Sequence, residues 1–354
     1  MTRLIHTGII GFGLSGKVFH APFIHSHPGF HLSAIVERRS EHSKEFYPYV
    51  SVVSDYQNLL EDDSLELVVV ATPNIFHYPM ARDCMLAGKH VVIEKPFTPS
   101  SREAEELISI SKETGKKIFV YQNRRWDGDF LTIRKLLEEK ALGEISYYEA
   151  HFDRYSPELK PNAWRDEDIP GGGILFDLGS HLIDQALVLF GMPDALRADI
   201  RKERQDTAVD DSFNLELFYP DKNILLTAGM MVKKTGPRYI VEGTDADFVK
   251  YGIDPQESLL KAGLMPVGDG WGCDDPALYG KLIPLNGAEG AREKQVETLP
   301  GNYMAFYDNV YGSLVKNNTQ SVTPEEARNV IFIIEKAFES RKMNCVIKIN
   351  NEQQ

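Results

Sequence analysis

The chain has 354 residues, more than one ordinary hydrophobic core accommodates, so two domains are expected. With 42% hydrophobic and 26% charged residues its composition is that of a soluble globular protein. A net charge of −13 argues against nucleic acid and against an anionic membrane surface as partners.

The first element is a short apolar strand, Gly8–Ile9–Ile10, that runs into the glycine turn Gly11–Phe12–Gly13–Leu14–Ser15–Gly16–Lys17. Glycines at 11, 13 and 16 fit the G-x-G-x-x-G dinucleotide fingerprint. The first permits the tight turn, the second lets backbone approach a pyrophosphate, and the third lets helix pack closely on strand. An acidic residue, Glu37, stands about 20 residues on, as the fingerprint requires. Without that context the turn reads as an ordinary strand–helix connection that needs positive φ. The helical stretch Val18–Ile24 contains Pro22, which lacks an N–H, so a kink or short first turn is expected there.

Short β-branched runs follow at Leu32–Val36, Val50–Val53, Leu65–Thr72, His90–Glu94 and Lys117–Tyr121, separated by helical segments. Leu67–Ala71 is apolar throughout, as in a parallel strand covered on both faces. Ala104, Leu107, Ile108 and Ser111 have amphipathic-helix spacing, with Ser100 and Glu103 as a capping box. Alternating strands and helices imply a doubly wound parallel sheet whose strand C-termini form the ligand-binding edge.

Near Gln122 the pattern changes. In Ile145–Asp153, Tyr148, Ala150 and Phe152 share one face and Glu149, His151 and Asp153 the other; Phe213, Leu215, Leu217 and Tyr219 alternate likewise. Such strands belong to a mostly antiparallel sheet with one wetter face. Helices are expected at Phe130–Glu139, Ile174–Phe190, Tyr303–Lys316 and Pro324–Ser340, and Gly263–Gly290 reads as an irregular surface excursion. The fold class is thus α/β over 1–121 followed by an α+β domain over 122–354.

Three clusters can carry chemistry. Glu94–Lys95–Pro96 lies at the end of a parallel strand, which puts Lys95 at the ligand edge; the plain alternative is a solvated lysine. An X-Pro bond there can be cis and hold the lysine in a fixed direction. Gly171–Gly172–Gly173 precedes Asp177 and His181, which are four apart and share a helix face. Histidine is the usual general base near neutral pH, and a neighbouring carboxylate can orient it. An ordinary i, i+4 surface pair is the rival, against which the glycine run and apolar flanks suggest a cleft. Tyr121–Gln122–Asn123–Arg124–Arg125–Trp126–Asp127 marks the domain junction and reads either as ligand contact or as a salt-bridged hinge. Trp164–Arg165 reads as a pocket closure or a loop anchored by one aromatic. Trp271–Gly272–Cys273 reads as packing, and His25, His27 and His31 as surface histidines with no metal-ligand partners. The cysteines Cys84, Cys273 and Cys345 have neither disulfide-framework nor metal spacing, which favours a reducing compartment. No run is long enough to span a bilayer, and the first strand begins almost at Met1, leaving no room for a signal peptide. The expected address is the cytoplasm.

The glycine turn, Glu94–Lys95–Pro96, Asn123–Arg124–Arg125–Trp126 and Asp177-x-x-x-His181 together resemble the glucose–fructose oxidoreductase/inositol dehydrogenase/MocA (Gfo/Idh/MocA) family over essentially the whole chain. With Pro237–Arg238–Tyr239, Phe248-x-Lys250–Tyr251–Gly252–Ile253–Asp254 and Tyr279–Gly280–Lys281–Leu282, the chain looks most like the NADP-dependent scyllo-inositol 2-dehydrogenases. The resemblance implies a Rossmann domain followed by a domain with an open mixed sheet, and a homodimer or homotetramer. It implies hydride transfer between NAD(P) and a ring secondary alcohol of a polyol or sugar, with Lys95, Asp177 and His181 catalytic. Cofactor contacts are expected from Gly11, Phe12, Gly13, Leu14, Ser15, Gly16, Glu37, Arg38, Arg39, Thr72, Pro73, Asn74, His77, Glu94, Lys95 and Asn123. Substrate contacts are expected from Lys95, Arg124, Trp126, Tyr155, Trp164, Arg165, Asp177 and His181, and no metal is expected. Glu37 favours NAD through the ribose 2′-OH, whereas Arg38 and Arg39 can embrace a 2′-phosphate. Small polar residues stand at the Glu37 and Arg38 positions in the nearest pattern; the expectation is NADP, with NAD use possible. The rivals are an aldose or dihydrodiol dehydrogenase of the same family and an NAD(P)-sensing regulator. Such regulators usually lose the lysine or the histidine, and both are present here.

Overall fold

The computed structural model describes residues 3–159, 166–284 and 292–349. Trp164 and Arg165 lie outside the described residues. The chain divides into two compact units that are not contiguous in sequence. The first comprises Met1–Asn123, Gln256–Trp271 and Asn302–Ile331; the second comprises Arg124–Pro255, Gly272–Gly301 and Phe332–Gln354.

The first unit holds six strands: β1 (Ile5–Ile10), β2 (Phe30–Val36), β3 (Ser51–Val53), β4 (Leu67–Val70), β5 (His90–Ile93) and β6 (Ile118–Val120). They pair in parallel in the order β3-β2-β1-β4-β5-β6. This is the doubly wound order, and its topological switch point lies between β1 and β4. The four residues of β4 are all fully buried, which accounts for its unbroken apolar run. The helix Ser101–Thr114 starts with the expected capping box and ends at Gly115 in the left-handed region. Pro22 sits in the first turn of the helix Ala21–Ser26, which follows a wide π-helical turn at Gly16–His20. In a first turn the N–H that Pro22 lacks is not needed.

The second unit carries β7 (Ile145–His151), β8 (Ala195–Arg201), β9 (Ser212–Phe218), β10 (Asn223–Gly229), β11 (Tyr239–Gly243), β12 (Ala246–Lys250), β13 (Gly280–Pro284), β14 (Lys294–Val296) and β15 (Ile347–Lys348). Their order is β14-β13-β12-β11-β7-β10-β9-β8-β15. Only β7 and β10 pair in parallel among the described residues, so the sheet is mixed and mostly antiparallel. Tyr148, Ala150 and Phe152 are buried, as are Phe213, Leu215 and Leu217, while Glu149 and His151 are half-buried on the other face. Tyr148 packs its ring 5.3 Å from Phe190 of the helix Ser180–Phe190. Phe176 stacks 6.0 Å from Phe338 of the helix Pro324–Met343.

Two expectations are corrected. Gly263–Gly290 is not irregular throughout: Gly280–Pro284 forms β13, between β12 and β14. Gly280 is small because the Phe248 ring lies where its Cβ would be, 2.2 Å away. His27 is not a surface histidine. It is 8% exposed and packs its ring against Phe30 and Tyr311; His25 and His31 are exposed.

Candidate active site

In the first unit the candidate residues gather at the C-terminal ends of the parallel strands. Gly11 has φ +98°, and a Cβ there would meet the Ala71 carbonyl oxygen at 2.8 Å. A Cβ on Gly16 would meet the Gly11 carbonyl oxygen at 2.1 Å. A Cβ on Gly13 would meet nothing within 4 Å. Two of the three glycines are therefore required by the protein itself. The middle one faces open space, which fits a turn that admits a pyrophosphate. Phe12 packs against Phe46 and Tyr47, Leu14 is exposed, and the Lys17 ammonium lies 4.1 Å over the Phe46 ring.

Glu37 follows β2 but turns its carboxylate inward. One oxygen accepts from the Ser40 hydroxyl at 2.7 Å and the His42 N–H at 3.1 Å; the other accepts from the Ser43 N–H at 2.8 Å. Burial pushes its carboxyl up, but the bonds from Ser43, Ser40 and His42 outweigh that and hold it below the usual value. Arg38 and Arg39 are exposed and form no ion pair among the described residues.

Past β4, Thr72 and Pro73 are half-buried and Asn74 is fully buried. His77 is buried, with its ring nitrogens 2.9 Å from the Thr72 and Pro96 carbonyl oxygens, so it ties the loop after β4 to the loop after β5. Burial pushes its pKa down. Lys95 is half-buried and precedes a cis peptide bond to Pro96. Glu94 is buried, with one oxygen 2.9 Å from His20 Nε2 and the other accepting the Lys95 N–H at 3.0 Å. Asn123, buried, opens a 3-10 turn that runs to Trp126.

In the second unit Asp177 and His181 stand on either side of a change in helical pitch. Leu175–Gly179 is a π-helical turn, and the regular helix begins at Ser180. Such wide turns recur at functional sites. His181 is 4% exposed and its ring lies 6.5 Å from that of Phe152; Asp177 is half-buried. The glycine run has a local cause. A Cβ on Gly173 would meet the Asp210 carboxylate at 2.1 Å, and that carboxylate accepts the Leu175 N–H at 2.8 Å. What approaches the helix start so closely is thus Asp210 of the same unit. Arg124 lies 4.7 Å over the Phe152 ring and bonds Asp127 at 3.1 Å. Arg125 makes a buried two-pronged pair with Asp184, at 2.8 and 2.7 Å. Trp126 is half-buried. Tyr155 is 50% exposed, with the Lys233 ammonium 5.4 Å from its ring.

His20, Tyr307 and Asp210 are absent from the residues expected from sequence. His20 carried a faint signal, its place one turn beyond the glycine fingerprint. Tyr307 and Asp210 carried none. Among the described residues no group of His, Cys, Asp and Glu is arranged to hold a metal ion, and no helix is long and apolar enough to cross a membrane. The cysteines are free; burial pushes the Cys84 thiol up to about 12.

Comparison with known proteins bears on both halves. Residues 5–122 match the NAD-binding Rossmann fold of the Gfo/Idh/MocA oxidoreductases, and residues 134–349 match the C-terminal alpha/beta domain of that family. The scyllo-inositol 2-dehydrogenase (NADP(+)) IolW of Bacillus subtilis is 42% identical, over 98% of this chain and 96% of its own. The uncharacterised oxidoreductase YdgJ of Escherichia coli is 40% identical, over 98% of this chain and 99% of its own. The solved structure of yvaA from Bacillus subtilis superposes with a TM-score of 0.96 at 41% identity, covering 99% of both chains. One from Yersinia pestis gives 0.93 at 38%, again over 99% of both.

Proposed function

The chain belongs to the Gfo/Idh/MocA oxidoreductase family, and from that premise we propose that it transfers a hydride between NADP and a ring secondary alcohol of a polyol. The substrate pair we assign is scyllo-inositol and its inosose. The observation that carries this reading is the 42% identity, over nearly the whole chain, to a scyllo-inositol 2-dehydrogenase that uses NADP. The presence of Lys95, Asp177 and His181 supports it.

The bound nicotinamide supplies the hydride acceptor. The chain's own residues manage one proton and one developing charge. His181 takes the hydroxyl proton in the oxidation direction and returns it in reduction. Lys95, cationic, stabilises the negative charge that grows on the oxygen as the proton leaves. Asp177 orients the imidazole or the substrate. The turn Gly11–Gly16 receives the pyrophosphate, and Arg38 and Arg39 receive the 2′-phosphate.

The test is a panel of inositols and aldoses with NADP and NAD, read by reduced-nicotinamide absorbance at about 340 nm. Inositol-dependent reduction of NADP is expected, with Lys95→Ala and His181→Ala each lowering kcat by about 10²–10⁴. Cofactor binding without any polyol-dependent signal would refute the enzyme reading and favour a nucleotide-sensing regulator. Preferred turnover of an aldose or dihydrodiol would reassign the substrate.

A further inference from the structure

Glu94, the residue before the candidate catalytic lysine, is part of a buried chain of polar groups within the first unit. One carboxylate oxygen lies 2.9 Å from His20 Nε2, and the other accepts the Lys95 backbone N–H at 3.0 Å. His20 is itself the last residue of the helical turn Gly16–His20 that follows directly on the glycine turn. Burial pushes the Glu94 carboxyl up, and the hydrogen bond with His20 and the nearby Lys95 charge outweigh this and hold it below its usual value, as an anion. The other ring nitrogen of His20, Nδ1, is 2.6 Å from the Tyr307 hydroxyl. His20 and Tyr307 are both fully buried, and the His20 ring lies 4.5 Å from that of Tyr121.

The proton positions follow from the chemistry of the partners. Burial pushes the Tyr307 hydroxyl well above its ordinary value, so it keeps its proton and donates to Nδ1. That leaves Nε2–H to donate to Glu94, which as an anion only accepts. The result is one continuous line, Tyr307 to His20 to Glu94, ending on the Lys95 backbone N–H. Buried as they are, His20 and Tyr307 are placed to act through Glu94 rather than on a ligand.

We propose that His20 and Tyr307 are positioning residues that fix the Glu94 carboxylate, so that the phosphate-binding turn and the catalytic lysine are held as one piece. The inference rests on the roles proposed above for the glycine turn and Lys95. It predicts that a lesion remote from any ligand alters cofactor affinity and turnover together.

The experiment compares His20→Leu, His20→Gln and Tyr307→Phe with the unmodified chain. Each is read by the Kd of whichever reduced cofactor, NADPH or NADH, that chain binds more tightly, by kcat and KM, and by melting temperature. His20→Leu is expected to raise Kd and lower kcat by about tenfold each, the worth of one charge-assisted hydrogen bond, with the polyol KM little changed. A glutamine amide can still donate to Glu94, so His20→Gln restores most of both losses. Tyr307→Phe keeps its ring and loses part of each; it carries the test if the leucine variant does not fold. Lower melting temperatures with Kd and kcat unchanged would overturn the proposal, as would a glutamine variant no better than leucine. The binding arm needs no substrate, so it decides the matter even if inositols are not turned over.

Discussion

Replacing Glu37 by glutamine or alanine separates two roles that its position after β2 allows. If the carboxylate bonds the ribose 2′-hydroxyl, removing its charge costs a hydrogen bond to a charged group, about 1.5–3 kcal/mol. NADH affinity would then fall by about 10- to 150-fold. In the structure that carboxylate instead accepts from Ser40, His42 and Ser43, the last two through backbone N–H groups. Ser43 is fully buried, so its N–H has no ready replacement for the lost acceptor. The expected outcome is a stability effect, not an affinity effect. Glu37→Ala should lower stability by about 2 kcal/mol, as for loss of a strong helix cap, and the melting temperature by about 4–8 °C. Glu37→Gln should keep NADH affinity within about twofold of the unmodified chain. The pH dependence has a definite sign. The folded carboxyl lies below its usual value, so its stabilisation is present above the unfolded value and is lost as pH falls through the folded one. Fluorescence titration of NADH and NADPH with thermal melts reads both quantities. A tenfold or greater loss of NADH affinity in Glu37→Gln with an unchanged melting temperature would show that Glu37 is a ribose ligand.

Two glycines of the turn, Gly13 and Gly16, should respond in opposite ways to alanine. Gly16→Ala places a Cβ 2.1 Å from a carbonyl oxygen and should cost about 1–3 kcal/mol of stability by denaturant melts. Gly13→Ala meets no protein atom within 4 Å and should leave the melt unchanged while raising the cofactor Kd about tenfold or more. Equal melts for the two would contradict the geometry. His90 supplies a pH-dependent counterpart. Burial, with Lys116, Lys117 and Arg3 nearby, pushes its pKa down to about 4, and its Nδ1 accepts the Lys117 N–H at 2.9 Å. Between the ordinary histidine value and about 4 the unfolded chain holds a proton that the folded chain does not, so stability falls on acidification through that window. His90→Gln should flatten that slope in urea midpoints measured across the range; an unchanged slope would acquit His90.

Much of this protein is written locally. Gly11 and Gly16 announce a strand–turn–helix because each answers a need within a few residues of itself or of the neighbouring strand. The Ser100–Glu103 box and the alternation of Tyr148, Ala150 and Phe152 are legible for the same reason: their period or spacing is short. Membership of the family follows from several such motifs in order along one chain.

Tertiary structure decided the rest. No spacing rule links His20 to Tyr307, which meet across 287 residues, or Gly173 to Asp210. Nor does the sequence tell that Gln256–Trp271 and Asn302–Ile331 return to the first unit, because the return depends on which surfaces bury each other. Glu37 shows the distinction most sharply. Its place after β2 was readable, but the direction of its carboxylate was not. A side chain's rotamer is settled by the donors that the folded backbone brings to it, and these exist only once His42 and Ser43 have been carried round to face it.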